Sequence, residues 1–229
     1  GARTYGDLAA ALADRPAVVI VANPTSLHAR TACDALAAGA SVLLEKPVAA
    51  DLDSARSLQA AASAALGACG VAYCFRYHPL YRALKDAVAA GRLGRVFHAR
   101  SWQAGYLPAW HPWEDYRTSY AARADLGGGV VRTLDHDLDM LRWILGPPRR
   151  VHALASNRGL GLDVEDTADI LLDFEAAQVH VHVSFARRDT SRGMSLVGDA
   201  GSADLDWNAA SLTIRRAGQA DEITRLPAD

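Results

Sequence analysis

Lysine is nearly missing from this 229-residue sequence: of its 24 basic residues, only Lys46 and Lys85 are lysines, and the rest are arginines. No stretch is strongly basic and the net charge is −2, so nucleic acid and anionic membranes are poor partner candidates. No apolar run approaches the roughly 20 residues of a membrane span. Residues 1–16 lack the basic start and apolar stretch of a signal peptide.

Cysteine is also scarce. Cys33, Cys69 and Cys74 are odd in number and form no C-x-x-C pair, so we interpret them as free thiols, which a reducing compartment maintains. The cytoplasm is therefore the expected location. Half of the residues are hydrophobic, which is enough for one large domain or two small ones.

Residues 17–75 alternate short β-branched runs with helical segments. The pattern predicts strands at 17–22, 41–45 and 69–75 and helices at 25–39 and 51–66. This alternation predicts a parallel sheet with right-handed crossovers, its strands buried on both faces. Ligands bind such sheets beyond the carboxyl ends of the strands. Those ends should converge on one crevice, and they are Asn23-Pro24-Thr25, Glu45-Lys46-Pro47 and Phe75-Arg76-Tyr77.

The character of the sequence changes after a helix predicted at 79–91. Beyond it come a strand at 96–103, an aromatic loop at 105–129 and a helix from the glycines 127–129 through Leu145. Alternation of polar and apolar residues in the remaining strands is typical of an antiparallel sheet with one covered face. Those strands are predicted at 151–156, 167–174, 177–186, 192–198, 202–207 and 211–216. We therefore expect two domains, residues 1–92 and 93–229.

Lys46 is the first candidate for chemistry because it follows a strand that the pattern predicts to be buried. A partly buried lysine can lose its proton, which an arginine in practice cannot. The plainer interpretation is a strand-end lysine that reaches water, paired with Glu45. We favour proton transfer because this strand end lies at the predicted crevice.

His136 is the second candidate. It lies off the apolar stripe of its helix and shares a polar side with Arg132 and Asp139. Either it faces the crevice as a general acid or base, or it forms an exposed ion pair with Asp139. The acidic residues around it could suggest a metal, but the spacing within residues 135–139 matches no established ligand motif. No metal is therefore expected.

The aromatic loop mixes aromatic with charged side chains, which suits stacking and hydrogen bonding on a sugar-like small molecule. The candidates for substrate binding are Tyr106, Trp110, His111, Tyr116 and Arg117. In the alternative interpretation, these aromatic side chains simply pack down over the sheet. His180 and His182 share one strand face and are interpreted as ordinary sheet histidines.

Five stretches, taken in order and spanning nearly the whole chain, resemble the Gfo/Idh/MocA family of nicotinamide-dependent oxidoreductases. They are VVIVANPTSLHARTACDALAAGASVLLEKP, FRYHPLYRALKDAVAAGRLGRV, GGGVVRTLDHDLDMLRWILG, VEDTADILLDFE and SRGMSLVGDAGSADLDW. The E-K-P tripeptide is weak alone but specific together with the other four blocks. The segment YLPAWHPWEDYRTSYAARADLGGGV is similar to a branch associated with nucleotide sugars and acidic nine-carbon sugars.

The resemblance implies an α/β fold, in which an incomplete Rossmann-type parallel sheet precedes an α+β domain. The large, mostly antiparallel open sheet of that domain often forms a homo-oligomer interface. The implied reaction is hydride transfer between NAD or NADP and a hydroxyl-bearing carbon of a sugar, nucleotide sugar or polyol. Lys46 matches the family lysine that polarises the hydroxyl, and His136 matches the histidine that takes its proton. The positions assigned to cofactor binding are Asn23, Pro24, Thr25, His28, Glu45, Lys46 and Arg76.

Two departures from the family matter. Many relatives have an aspartate four residues before the histidine; this chain has Arg132, which joins His136 among the substrate-binding candidates. No G-x-G-x-x-G occurs near the N-terminus, so the first βα units with their pyrophosphate-binding turn are expected to be missing, as is a closing C-terminal helix. Such a chain should bind NAD(P) weakly. The alternative function is therefore a non-catalytic sugar-binding or regulatory relative, and a metal-dependent hydrolase or lyase ranks last.

Overall fold

The computed structural model describes residues 3–227 and shows an α/β chain with two separate sheets. The smaller sheet has three parallel strands in sequence order, as the alternation of strands and helices predicts. Its elements are α1 (Leu8–Ala13), β1 (Val18–Val21), α2 (His28–Ala37), β2 (Ser41–Leu44), α3 (Leu52–Ala64) and β3 (Cys69–Val71). No element is predicted from the sequence over residues 8–13, where Asp7 caps the short helix α1.

The smaller sheet is covered on one face only. α2 and α3 pack together on that face and bury a compact core that includes Val42 and Leu44. On the other face Ile20 is 68% exposed and Leu43 is 42% exposed. The expectation of strands buried on both faces is therefore wrong within residues 3–227, because both crossover helices lie on the same side.

The larger sheet contains eight strands in the spatial order β11-β10-β9-β8-β4-β7-β6-β5. Every neighbouring pair is antiparallel except β4 and β7, which run parallel. Its strands are β4 (Val96–Tyr106), β5 (Arg150–Ser156), β6 (Thr167–Asp173), β7 (Gln178–Ser184), β8 (Ala186–Gly198), β9 (Gly201–Asp206), β10 (Ser211–Arg216) and β11 (Glu222–Arg225). β11 is not predicted from the sequence, and β8 starts earlier than its predicted bound.

Alternation along the strands decides which face of the larger sheet is covered. In β7, Val179, Val181 and Val183 are each at most 2% exposed, whereas His180 and His182 point away from the core. The helices that cover the buried face are α4 (Pro79–Ala89), α5 (Val130–Thr133) and α6 (His136–Leu145). The predicted fold class is confirmed. The domain border at residue 92 stays a prediction, and α4, which precedes it, packs into this larger core.

Two local differences from the sequence-based expectations shape the site. β3 ends at Val71 instead of continuing to residue 75, because a 3₁₀ turn follows at Cys74–Tyr77. The helix predicted through Leu145 is broken at Leu134, whose φ of −105° and ψ of 33° leave the helical region. The break separates α5 from α6 directly before His136. Within residues 3–227, no helix has the length and apolar character that crossing a membrane requires.

Candidate functional site

The carboxyl ends of the three parallel strands meet at one edge of the smaller sheet. The backbone N–H of Glu45 donates to the last carbonyl of β1, and that of Ala72 donates to the last carbonyl of β2, both at 2.8 Å. Asn23, Lys46 and Tyr73 therefore leave adjacent strands close to one another. The crevice predicted from the strand order exists at this edge.

A buried histidine joins two of these strand ends. His28 is 2% exposed, with Nδ1 2.7 Å from the Pro47 carbonyl oxygen and Nε2 2.9 Å from that of Asn23. A carbonyl oxygen only accepts, so both ring nitrogens are donors in this geometry. Pro24 and the buried Thr25 lie in the same turn. His28 thus contributes to the crevice by fixing its backbone, and its ring faces the interior.

Lys46 reaches across the crevice to the helix break. Its Nζ donates to the carbonyl oxygen of Thr133, 87 residues away in sequence, at 2.7 Å. Thr133 is the last residue of α5, where the helical hydrogen-bond pattern stops. The carboxylate of Glu45 accepts instead from the backbone N–H of Lys46, at 3.2 Å. The half-buried ammonium is therefore held against the α5–α6 junction and does not form the Glu45 pair of the plainer interpretation.

His136 opens α6 and lies at the same junction. Its ring packs on that of Phe75, with centroids 4.2 Å apart, and meets Tyr73 edge-on at 6.2 Å. Its Nδ1 is buried and has no hydrogen-bond partner in the part of the chain that the structure describes. Burial, and then the charges of Lys46 and Arg192, lower the pKa of His136 to about 3. The imidazole is therefore neutral near pH 7 and can accept a proton.

The alternative ion pair between His136 and Asp139 does not form, because Asp139 is paired with Arg76. Arg76 Nε donates to Oδ2 at 2.9 Å and Nη2 donates to Oδ1 at 2.5 Å, a two-pronged contact. Arg76 was assigned to cofactor binding from its place at the third strand end. The structure places its guanidinium on α6, so it ties the smaller sheet to the helix of His136, and a cofactor contact stays a prediction.

Asp135 lies between Lys46 and Tyr73 at the same junction. Its Oδ2 accepts from the Tyr73 hydroxyl at 2.9 Å, while Oδ1 is buried without a partner among the described residues. Burial raises the pKa of Asp135 to about 6, against the opposing pull of the Lys46 charge. Burial and the Asp135 carboxylate also raise the pKa of the Tyr73 hydroxyl. A carboxyl group that exchanges its proton near pH 6 thus adjoins both catalytic candidates.

Replacing Asp135 by asparagine should change stability in a pH-dependent way. The wild-type carboxyl titrates near 3.8 when unfolded and at about 6 when folded. The stabilisation linked to that raised pKa is complete below the unfolded value and is lost as pH rises through 6. Asp135→Asn should therefore gain up to about 3 kcal/mol relative to the wild type between about pH 4 and pH 8. Urea unfolding at both pH values tests this, and a difference independent of pH would contradict the assigned shift.

A second layer of charge lies behind His136. Asp137 is fully buried and accepts from Ser101 Oγ at 2.6 Å and from Arg192 Nη2 at 3.1 Å. The Arg192 guanidinium is 4.0 Å from the ring centroid of Phe75 and 4.9 Å from that of Trp207. The pair is thus enclosed by aromatic rings, one of which also packs on His136. Its charges offset each other in the interior.

The predicted substrate-binding residues divide into two groups. Trp110, His111 and Tyr116 line one cavity of about 200 Å³, which Tyr120 also borders. Burial, followed by the charges of Glu45 and Asp135, raises the pKa of Tyr120, so this cavity lies beside the crevice. The structure therefore brings these three aromatic residues towards Lys46 and His136.

The other predicted substrate residues are engaged elsewhere. Arg188 lies over the ring of Tyr106, with its Cζ 4.0 Å from the centroid. Arg117 lies 4.5 Å over the ring of Tyr116, on the outside of the loop. Arg132 is exposed and donates from Nη1 to the carbonyl oxygen of Gly128 at 2.8 Å, so it does not replace the carboxylate that many relatives have beside the histidine.

The crevice offers an unmatched acceptor for a nicotinamide cofactor. Asn23 Oδ1 is buried without a hydrogen-bond partner among the described residues, while its Nδ2 donates to Thr31 at 2.9 Å. Amide and ribose hydroxyl donors of a bound nicotinamide nucleotide would match this oxygen. Glu45, exposed at the next strand end, adds a second acceptor. These residues fit the nicotinamide end of the cofactor.

Several residues of the site are not found by reasoning from the sequence. Tyr73 and Arg192 show no spacing signal, since their partners Asp135 and Asp137 are 62 and 55 residues away. The cluster at residues 135–139 was recognised only as a possible metal site. In the structure its carboxylates face different partners, and no group of three or more possible metal ligands occurs within residues 3–227.

Comparison with known families matches both parts of the chain. A family model described as the GFO/IDH/MocA C-terminal domain matches residues 81–204, more than half of the chain. A second model, described as an oxidoreductase family with an NAD-binding Rossmann fold, matches residues 1–73.

Two relatives and one solved structure illustrate the similarity. The 1,5-anhydro-D-fructose reductase of Ensifer adhaerens is 33% identical over 80% of this chain and 55% of its own length. Inositol 2-dehydrogenase 2 of Saccharopolyspora erythraea is 30% identical over 95% of this chain and 62% of its own length. An inositol dehydrogenase homologue from Azotobacter vinelandii, complexed with NAD⁺, has a TM-score of 0.86 at 23% identity, covering 96% of this chain and 61% of that one. The structural likeness shows the fold, and the chain spans about three fifths of each protein.

Proposed function

The chain belongs to the Gfo/Idh/MocA family of oxidoreductases, and from that premise we propose that it supports hydride transfer between NAD or NADP and a hydroxyl-bearing carbon of a sugar, nucleotide sugar or polyol. The observation behind this proposal is the meeting of Lys46 with the neutral His136 at the α5–α6 junction. The names of the relatives, a reductase of an anhydro sugar and a dehydrogenase of inositol, support the substrate class.

The proposed roles follow from the contacts of each residue. A bound NAD(P) supplies the hydride acceptor or donor. The ammonium of Lys46 donates to the substrate hydroxyl oxygen and stabilises negative charge there as the hydride departs. His136 Nδ1, buried, neutral and without a partner among the described residues, takes the hydroxyl proton. Asp135 and Tyr73 hold the neighbouring backbone and set the field around Lys46.

Replacing His136 by asparagine tests the proposal. Loss of the proton acceptor should lower kcat by about 100- to 10,000-fold, the usual contribution of general base catalysis. The assay is NADH formation with a panel of neutral polyols, using the protein expressed from its complete reading frame. His180→Asn, a change on the outer face of β7, is the matched control and should retain normal turnover. Retention of more than half of the turnover by His136→Asn would refute this role.

We also propose a homo-oligomer that forms through the open face of the larger sheet, and a location in the cytoplasm. Leu154 and Leu171 are 82% and 57% exposed on that face, which favours association with a second copy. Cys33, Cys69 and Cys74 are all free thiols, which suits a reducing compartment. Light scattering of the purified protein tests the oligomer, because Leu154→Glu should dissociate it.

A further inference from the structure

We propose that the cavity between Gln103 and Arg192 binds a neutral polyhydroxylated ring, so that the substrate of the proposed reaction is an uncharged sugar or polyol. The inference rests on the proposed function, since it assigns the substrate class of that same site. It differs from the acidic and nucleotide sugars that the loop sequence suggests.

The cavity lies on the inner face of the larger sheet, beside the helix break. It encloses about 230 Å³, and its main lining residues are Gln103, Trp110, Leu134, Thr190, Arg192 and Trp207. Leu134 stands at the break, two residues before His136, so a ring in this cavity lies next to the proton acceptor. The volume is below the ~300–1,000 Å³ of drug-sized ligand sites, which fits a single ring.

Two buried polar atoms at the cavity lack partners in the described part of the chain. Gln103 and Arg192 face each other directly across β4 and β8. Gln103 Oε1, an acceptor, and Arg192 Nε, a donor, are both buried without a hydrogen bond, and Arg192 as a whole is 6% exposed. Each unmatched atom is costly unless a ligand or water completes it. Hydroxyl groups both donate and accept, so a polyol can complete both atoms.

The charge of the cavity favours a neutral ligand over an anion. Arg192 is the only charged side chain in its lining, and Asp137 offsets that charge at 3.1 Å. A carboxylate could accept from Arg192 Nε, but it has no proton to donate to Gln103 Oε1. It would also lose its hydration without gaining a net positive field. The indole rings of Trp110 and Trp207 supply apolar faces for the C–H groups of a sugar ring.

The experiment measures binding and is independent of turnover. Calorimetric titration of the protein with myo-inositol, D-glucose and the anion D-glucuronate should show at least one neutral ligand binding at least tenfold more tightly than the anion. Gln103→Leu should raise the Kd of that neutral ligand by about tenfold, the loss of one hydrogen bond. Gln178→Leu, an exposed glutamine on β7, is the matched control and should leave the Kd unchanged.

A variant that reverses the preference strengthens the test. Gln103→Lys replaces the acceptor by a cation and should shift the preference towards D-glucuronate. The proposal is overturned if no neutral ligand binds more tightly than D-glucuronate, or if Gln103→Leu binds as the wild type does while its thermal unfolding is unchanged. Failure of hydride transfer would appear separately, as normal turnover in His136→Asn, and would leave these binding results unaltered.

Discussion

Lys46→Met should lower kcat by about 100- to 10,000-fold while the fold is retained. Methionine preserves the length and apolar stem of the side chain but removes the ammonium that donates to Thr133 at the helix break. The hydroxyl undergoing oxidation then loses both a donor and a positive charge as its own negative charge develops. Steady-state NADH formation by the protein from its complete reading frame measures the loss, and circular dichroism checks the fold.

The near absence of lysine provides an unusually clean control for this variant. Lys85, the other lysine, donates to the Trp143 carbonyl oxygen at 2.8 Å and lies over the Trp143 ring, away from the crevice. Lys85→Met should keep its turnover. A loss of similar size in both variants would attribute the effect of Lys46→Met to stability and would contradict its catalytic role.

Lys46→Met should also leave a signature in the pH profile. The Lys46 charge lowers the pKa of both His136 and Asp135, so its removal should raise both values. Residual activity should consequently begin to fall at a higher pH on acidification than it does in the wild type. An unchanged acidic limb would mean that the ammonium does not act electrostatically on His136.

The sequence predicts Lys46 well because it depends on local patterns. An apolar run that ends in Glu45-Lys46-Pro47 places the lysine at a strand end, and strand–helix alternation places that end at a crevice. The same reasoning cannot find the break at Leu134, because the apolar stripe continues through residues 131–145. The break has tertiary partners: Lys46 binds the Thr133 carbonyl, and Tyr73 binds Asp135.

Long-range polar contacts are the part of the site that periodicity does not contain. Arg192 lies on β8 and Asp137 on α6, so their contact depends on how a helix packs over a sheet. Within its own segment Arg192 is only one arginine among many. Its importance becomes visible once burial is known, because a buried cation requires a partner.

Asp137→Ala should lower the free energy of unfolding by about 3–5 kcal/mol, more than any exposed ion pair in the chain. Alanine removes the counter-charge of Arg192, whose guanidinium then lies unpaired among Phe75 and Trp207. It also removes the acceptor of Ser101, a further buried donor. Denaturant unfolding measures the change. Asp189→Ala, which breaks an exposed pair with Arg187, should cost at most about 1 kcal/mol.

The double variant Asp137→Leu with Arg192→Met separates the cost of an unpaired charge from the net value of the pair. Because two apolar side chains of similar size require no solvation, the double variant should recover most of the stability that Asp137→Ala loses. If it stayed as unstable as Asp137→Ala, packing around Ser101 and not charge compensation would explain the loss. Recovered stability with abolished polyol binding would show that Arg192 and Asp137 serve the cavity, because the fold itself does not need their charges.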